Sequence, residues 1–262
     1  MSGVIALGYH GVSARWASPL VVDPGELRRQ IRLLMDRGYR PVTVSQAVRR
    51  QPGESVLVIT FDDALASVYD LAFPILRELG AVATVYVPTG PILSGQPMAW
   101  PEVRRHLDTE HAAELNGMTL DQLREVADAG WEIGSHTQTH PWLPTLDAAT
   151  LRDELVRSRA QLRLALGIPC RSLAYPFGAH DDRVVEAAHA AGYETAVTLP
   201  RRVTAWPAPG RDGQELLRLS RIGIYHADDF RRFRLKVSGP MRALRRTALW
   251  DALTTRRARP GR

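Results

Sequence analysis

Two adjacent carboxylates and two closely spaced imidazoles are the side chains of this sequence best suited to chemistry. Asp62 and Asp63 directly follow an apolar run, and His136 and His140, with three residues between them, follow another. This spacing lets both imidazoles reach one cation, and together with one carboxylate they leave room for solvent on a divalent ion. A water held there becomes acidic enough to attack a carbonyl near neutral pH. The pattern therefore predicts a metal site that activates water.

Each half of this pattern has a simpler explanation when it is taken alone. Asp62 or Asp63 could cap a helix that begins near residue 65, and a lone histidine is more often a surface or core residue than a metal ligand. Adjacent side chains at a strand end point in different directions, however, so one carboxylate can bind a metal while the other handles a proton. The helical metalloprotease motif needs a glutamate after its first histidine, and Thr137 stands there, which excludes that class.

A third candidate lies within L-A-Y-P-F-G-A-H, residues 173–180. Pro176 and Gly178 favour a tight turn at the end of another predicted strand, and a turn is a sufficient explanation for them. The functional alternative is that Gly178 lets the backbone approach a ligand closely, while the Phe177 N–H donates to a developing oxyanion. The residues alone leave both explanations open.

The elements that must position these residues follow an alternating pattern. Short apolar runs alternate with amphipathic segments, which is typical of β/α units around a largely parallel sheet. Strands are predicted at residues 4–9, 56–61, 82–87, 131–134, 172–175, 195–198 and 222–225, helices at 24–37, 65–79, 119–129, 148–166 and 181–191, and long loops at 90–116 and 199–214. His10, the aspartate pair and His136 all follow strand ends, and in a β/α barrel those ends form the active face. We therefore expect them to converge.

Composition limits the class of protein without naming an activity. With 262 residues, 45% hydrophobic and 24% charged, the chain is long enough for one large domain with its own core. The single cysteine, Cys170, cannot form an internal disulfide and is expected to be a buried small hydrophobe. No basic leader and no apolar run of about 18 residues is present, so a cytoplasmic protein that does not span a membrane is expected.

The net charge of +6 is concentrated at one end of the chain. Residues 231–262 carry ten Arg and one Lys against one Asp, a net charge of +10 that leaves the first 230 residues at −4. We therefore predict a barrel domain at 1–230 and a basic amphipathic tail at 231–262. Two alternatives for the tail are peripheral contact with an anionic membrane and packing of its apolar stripe on the barrel, of which the second is preferred. The tail lacks a nucleic-acid motif, so neither RNA nor DNA is expected as a partner. The apolar residues of that stripe are Phe233, Leu235, Leu244, Leu249, Trp250 and Leu253.

Three segments, T-F-D-D-A, S-H-T-Q-T-H and A-Y-P-F-G, together resemble the motifs of the polysaccharide deacetylase family, the carbohydrate esterases that share the NodB homology domain. The resemblance runs from about residue 10 to residue 225. It implies an α/β fold, a distorted (β/α) barrel of the NodB type in a single domain. The roles it implies are catalytic base for Asp62, metal ligands for Asp63, His136 and His140, and substrate or oxyanion contacts for Tyr175, Phe177 and Gly178.

The chain departs from the family pattern at several positions. Ala64 stands where the family has a glycine, and alanine tolerates positive φ poorly. Ala174 stands where many members have an arginine that pairs with the catalytic base, for which Arg221 is a candidate substitute. The late Asp-Trp and Leu-x-His motifs of the family are not recognisable.

The opening A-L-G-Y-H-G-V resembles a Tyr-His motif that begins a permuted branch of these deacetylases. It implies that His10 is the general acid that protonates the leaving amine, with His226 as the alternative. Imidazole suits this role because its ordinary pKa lies near neutrality.

The resemblance as a whole implies a metal-dependent hydrolase that removes N-acetyl groups from an amino sugar in a polysaccharide, an oligosaccharide or a glycan precursor. It implies zinc as the cofactor, with cobalt, nickel, iron(II) or manganese as alternatives. A second hypothesis is that Ala64 and Ala174 mark a degenerate member of the fold, which binds carbohydrate or metal without hydrolysis.

Overall fold

In the computed structural model, which describes residues 3–200, 203–211, 213–247 and 250, a curved sheet of parallel strands forms the centre of the protein. Its strands follow the order β10-β9-β8-β7-β6-β5-β1-β11, and β4 pairs with the first half of β5. A separate pair, β2 and β3, lies next to the barrel mouth. The strands are β1 (Gly3–Tyr9), β2 (Gly11–Val12), β3 (Val21–Val22), β4 (Arg40–Val42), β5 (Ser55–Phe61), β6 (Thr84–Val87), β7 (Glu132–Ser135), β8 (Ser172–Ala174), β9 (Thr195–Thr198), β10 (Leu219–Ser220) and β11 (Ile222–Gly223).

The two ends of this sheet are joined by a single residue. Strands β10 and β11 are separated only by Arg221, yet β10 pairs with β9 and β11 pairs with β1 at the other end of the strand order. The backbone N–H of Arg221 donates to Thr198 O at 3.0 Å, and Ile224 N–H donates to Gly8 O at 2.8 Å. The chain therefore nearly closes the sheet into a barrel at Arg221, and the (β/α) barrel expected from the sequence is confirmed.

Helices surround the barrel and begin at residues that cap them. Asp23 accepts from the first N–H groups of the helix that starts at Pro24, and Thr119 forms a reciprocal capping pair with Gln122. The longest helix ends at Gly167, whose φ of 69° suits glycine. The helices are α1 (Pro24–Asp36), α2 (Val44–Val48), α3 (Phe73–Glu78), α4 (Thr89–Ser94), α5 (Pro101–Arg104), α6 (Leu120–Asp128), α7 (Ala148–Leu166), α8 (Asp182–Ala190), α9 (Phe230–Lys236) and α10 (Gly239–Leu244).

Alternation along β5 sends its residues to two different cores. Leu57 and Ile59 belong to the large apolar cluster between the sheet and the helices, whereas Val56 and Val58 belong to a smaller cluster to which seven of the strands contribute residues. A cluster that collects residues from so many strands is the barrel interior. Since side chains alternate with a period of two, the inward set continues through position 60 to Asp62. The strand thus delivers a carboxylate to the top of the barrel interior.

The sequence predictions differ from the structure mainly in short elements. The segment 90–116 is not an uninterrupted loop, since it contains α4, α5 and a 3-10 turn at Ala112–Leu115. The predicted helix at 65–79 begins with a π-helical turn at Val68–Ala72 and becomes α-helical only from Phe73. The short strands β2, β3, β4 and β10 were not predicted, because a run of two or three residues carries no period.

The first part of the basic tail packs on the barrel. Phe233 and Val237 are buried, and α9 contacts α1, whereas Leu235 is exposed. Leu249 and Leu253 lie outside the described residues, and the division into a domain at 1–230 and a tail at 231–262 stays a prediction. None of the helices in the described ranges is long and apolar enough to cross a bilayer. Cys170 is buried with a free thiol, and burial raises its pKa to about 12, which makes it unreactive.

Candidate active site

The three polar sets predicted from strand ends meet at one rim of the barrel. His10 follows β1, the aspartate pair follows β5, and His136 follows β7, and these strands run parallel in the same sheet. Their carboxyl ends therefore lie on the same side. His140, four residues beyond His136, is carried to the same place by the loop after β7.

Asp63, His136 and His140 form a compact buried group. The His136 Nε2 lies 3.5 Å and the His140 Nε2 3.8 Å from the same oxygen, Asp63 Oδ1. One candidate ligand atom from each residue lies within 4.8 Å of the others. Two ligands of a tetrahedral zinc ion stand roughly 3.4 Å apart at the usual bond lengths. The separations are thus long for hydrogen bonds and suitable for shared coordination of one ion.

The hydrogen bonding around this group fits a cation. Asp63 Oδ1 is buried and has no hydrogen-bond partner among the described residues. The His136 Nδ1 contacts Ala174 O at 2.8 Å, so the N–H on Nδ1 donates to that carbonyl and Nε2 keeps its lone pair. Burial, reinforced by the negative charge of Asp62, raises the pKa of Asp63 well above its ordinary value. A positive ion at this point would satisfy the oxygen and remove the repulsion.

Both imidazoles of the group are neutral near pH 7. Burial lowers the pKa of His136 despite the attraction of Asp62, and burial together with the charge of His136 lowers that of His140 well below its ordinary value. Neutral imidazole is the form that ligates metals. The His140 ring also stacks on Trp100 with a centroid separation of 4.1 Å, and Phe177 contacts it edge-on at 4.6 Å.

Asp62 has a separate partner. Arg221 donates from Nη1 to Asp62 Oδ1 at 2.7 Å and from Nη2 to Oδ2 at 2.8 Å, and both side chains are buried. Nη1 also donates to Thr60 Oγ1 at 2.7 Å. Burial alone would raise the pKa of Asp62, but the charge and hydrogen bonds of Arg221 outweigh it and hold that pKa well below its ordinary value. The arginine therefore keeps Asp62 ionised.

Backbone strain is concentrated in the loops of this site. Five non-glycine residues of the described chain have positive φ: Asp63 at 69°, Ala64 at 47°, Thr137 at 66°, His140 at 59° and Phe177 at 59°. All five lie in the loops that follow β5, β7 and β8. Positive φ is unfavourable for residues with a Cβ and persists where the surrounding contacts hold it. Ala64 thus adopts the conformation for which the family has glycine.

Glu154 of α7 holds the loop between the two histidines. Its buried carboxylate accepts from the N–H of Gln138 at 2.8 Å and of Thr139 at 2.9 Å, and from Thr139 Oγ1 at 2.6 Å. This residue was not predicted from the sequence, although it stands on the buried stripe of α7 with Leu151 and Leu155, where an unexplained acid is unusual. It is a positioning residue that lies outside the group of candidate ligands.

His10 interacts with the charged centre of the site. The Nδ1 of His10 is buried without a hydrogen-bond partner in the described chain, and the imidazole interacts electrostatically with Asp62, Arg221 and His136. Burial lowers the pKa of His10 to about 4, the attraction of Asp62 notwithstanding, so the ring is neutral at pH 7. His226 is exposed to solvent.

The turn after β8 brings only one of its three predicted residues to the cavity beside His140. Phe177 lines that cavity and is 37% exposed. Tyr175 is fully buried and donates its hydroxyl to Leu217 O at 3.0 Å, so the structure does not bring its side chain to the cavity. A Cβ at Gly178 would stand 2.6 Å from Leu199 N, so the close approach that requires glycine is to Leu199.

The chain belongs to the polysaccharide deacetylase family, whose sequence profile matches residues 49–196, more than half of the chain. YxkH of Bacillus subtilis (strain 168), assigned to the polysaccharide deacetylases, is 26% identical over 197 residues, 73% of this chain and 63% of the relative. The poly-beta-1,6-N-acetyl-D-glucosamine N-deacetylase of Escherichia coli (strain K12) is 30% identical over 148 residues, 52% of this chain and 21% of the relative.

A solved structure shows the same architecture. The crystal structure of BC0361, a polysaccharide deacetylase from Bacillus cereus, aligns with a TM-score of 0.71 at 25% identity, over 90% of this chain and 69% of that chain. The chain spans less than two thirds of the length of both sequence relatives. Membership of the branch with an opening Tyr-His motif stays a prediction.

Replacement of Arg221 by methionine should destabilise the protein by about 3–5 kcal/mol, because it leaves a buried carboxylate without its partner. The double variant Asp62→Asn, Arg221→Met should lose less of the free energy of unfolding, since it leaves no buried charge without a partner. Urea unfolding measures both. The control is the exposed ion pair of Arg124 with Asp121, in which Arg124→Met should lower the free energy of unfolding by less than about 1 kcal/mol. Equal losses for Arg221→Met and Arg124→Met would contradict this account of Asp62.

Replacement of Glu154 by glutamine should weaken zinc binding by about 10- to 100-fold, because the amide places an N–H₂ group or a weaker acceptor against backbone donors that fix the loop. Titration against a chelating dye measures the affinity. Asp153→Asn, at the neighbouring exposed position of the same helix, is the matched control and should bind as the unaltered protein does. Unchanged affinity in Glu154→Gln would remove its positioning role.

Proposed function

We propose that this protein is a metal-dependent N-deacetylase, which removes acetyl groups from N-acetylated amino sugars in a polysaccharide or oligosaccharide. The observation that carries the proposal is the buried group of Asp63, His136 and His140 directly beside an ionised Asp62. Family membership and the activity named for the E. coli relative support it. That relative also makes a polymer of N-acetylglucosamine the substrate that we propose.

Asp63, His136 and His140 would hold the ion, and one carboxylate with two imidazoles is a donor set that suits zinc, with cobalt, nickel, iron(II) and manganese as alternatives. When bound, a divalent ion supplies Lewis acidity, which activates a water and polarises the acetamide carbonyl. The orphaned Asp63 Oδ1 and the free Nε2 of His136 are the features that fit it.

Asp62 acts as the base in this proposal. Arg221 keeps the carboxylate ionised and fixes its plane, so that Asp62 is ready to accept a proton from the attacking water at neutral pH. Because each carboxylate oxygen has two lone pairs, the bidentate contact with Arg221 leaves acceptor capacity on both. The amide N–H of Phe177 is proposed to donate to the oxyanion that forms.

His10 acts as the general acid in this proposal, and His226 is left aside because it is exposed. The neutral ring of the free chain takes up a proton from solvent during the reaction, because negative charge developing nearby raises the pKa of an imidazole. That proton passes to the amine nitrogen as the C–N bond breaks, which yields acetate and a free amine. Asp62 returns its proton to solvent.

The binding-only alternative rests on Ala64 and Ala174, and the contacts of both positions argue against it. Ala64 adopts the positive φ that the turn needs, so the departure removes no functional group. Ala174 supplies the carbonyl that orients His136, while Arg221 provides the positive charge beside Asp62 from another strand connection. Neither Ala64 nor Ala174 therefore supports a member of the fold that has lost its activity.

Replacement of Asp62 by asparagine should reduce acetate release from N-acetylglucosamine oligomers by about 10²- to 10⁴-fold, while zinc still binds, because only the proton acceptor is lost. His136→Ala and His140→Ala should lose both zinc binding and activity. Acetate release and zinc titration of the same preparations separate these effects. Asp128→Asn and His189→Ala, at exposed positions, are the matched controls. Full turnover by Asp62→Asn would end the assignment of the base.

A further inference from the structure

A cavity of about 660 Å³ opens directly beside the metal-binding group. His140 belongs to both, since its Nε2 faces Asp63 and its ring forms part of the cavity wall. The volume lies in the range of sites that hold small ligands. Trp100, Glu102, Trp142 and Phe177 line the same cavity.

Aromatic rings form a continuous wall that leads away from His140. Trp100 stacks on the imidazole, Phe177 contacts its edge, and Trp142 lies 5.3 Å from Phe177 between ring centroids. Trp142 is 51% exposed, which is costly for so large an apolar side chain unless something covers it. The C–H groups on the face of a pyranose ring carry partial positive charge and pack well on the negative face of an indole. The wall therefore suits a sugar.

Glu102 is the charged residue of this cavity. Apart from His140, which is neutral, it is the one ionisable side chain among the described lining residues, and it is exposed to solvent. It forms no hydrogen bond or ion pair with the described part of the chain. A single unpaired carboxylate beside an aromatic platform attracts a cation and repels an anionic sugar.

From these observations we propose that the cavity binds the sugar next to the one undergoing deacetylation, stacked on Trp142, and that Glu102 makes it prefer a neighbour whose nitrogen is already a free ammonium. This rests on the proposed deacetylase function. Because His140 belongs to both the cavity and the metal-binding group, a sugar in the cavity would be part of the same polymer chain as the sugar that is deacetylated.

One consequence concerns the pattern of the product. Each turnover converts an amide nitrogen into an amine, which can take up a proton to become an ammonium, and so creates the neighbour that the cavity prefers. Successive acetyl groups should then be removed from adjacent sugars, which yields runs of free amines. A cavity without charge selection would yield isolated ones.

The test compares three substrates under one set of conditions with zinc present. They are 4-nitrophenyl acetate, which contains no sugar, a fully acetylated β-1,6-linked N-acetylglucosamine pentamer, and the same pentamer with one free amine. The variants are Trp142→Ala and Glu102→Gln. Their matched controls are Leu164→Ala, which removes an 88% exposed side chain elsewhere, and Glu110→Gln, at another exposed acid.

For Trp142→Ala, we expect KM for both pentamers to rise about tenfold, the size of a stacking contact of about 1.4 kcal/mol, with ester hydrolysis unchanged. For Glu102→Gln, we expect the several-fold higher kcat/KM for the pentamer with a free amine to fall to that of the acetylated pentamer. In the unaltered protein, added salt should reduce the same preference, since the contact is exposed.

Two results would overturn the proposal. Trp142→Ala could change ester and pentamer hydrolysis alike, which would show that the residue only supports the metal group, or Glu102→Gln could keep the preference for the free amine. Failure of the deacetylase function itself looks different, because the unaltered protein would then release no acetate from either pentamer. Thermal unfolding of each variant confirms that it is folded before rates are compared.

Discussion

Two neighbouring carboxylates in a buried position impose the constraint on which the site depends. Asp62 and Asp63 cannot both be ionised beside each other unless each has its own positive partner. Arg221 serves Asp62 through two hydrogen bonds, and it leaves Asp63 facing His136 and His140 with an oxygen that lacks a partner among the described residues. The two adjacent residues therefore have different surroundings: Arg221 holds Asp62 ionised, whereas Asp63 has an oxygen that a cation would satisfy.

The closure of the barrel places Arg221 beside Asp62. Arg221 is the residue between β10 and β11, the strands at the two ends of the sheet, so the step that nearly closes the barrel also points its side chain into the interior beneath Asp62. Thr60, one inward position before Asp62 on β5, accepts from the same guanidinium. The ion pair of Arg221 with Asp62 therefore belongs both to the closure of the barrel and to the site. A change that opens the barrel at Arg221 would also leave the carboxylate of Asp62 without its partner.

The barrel fold and most of the candidate site could be predicted from the sequence, because the strands that precede Asp62, Asp63 and His136 carry a strong local pattern. Their convergence follows from parallel topology. The sequence could only suggest the pairing of Arg221 with Asp62, because 159 residues separate them and the strand order alone brings them together. Glu154 and Trp142 were missed for the same reason, since each acts through tertiary contacts. The burial of Tyr175 and the exposure of Phe177 likewise depend on how the turn after β8 packs.

The proposed function depends on the binding of one ion by Asp63, His136 and His140 together. X-ray absorption spectroscopy of the protein loaded with one equivalent of zinc tests it most directly. We expect two imidazole nitrogens and one carboxylate oxygen at about 2.0–2.2 Å, and we expect this signature to be lost in His140→Ala, which should not bind zinc. A spectrum with no imidazole contribution, or one that His140→Ala leaves unaltered, would contradict the account.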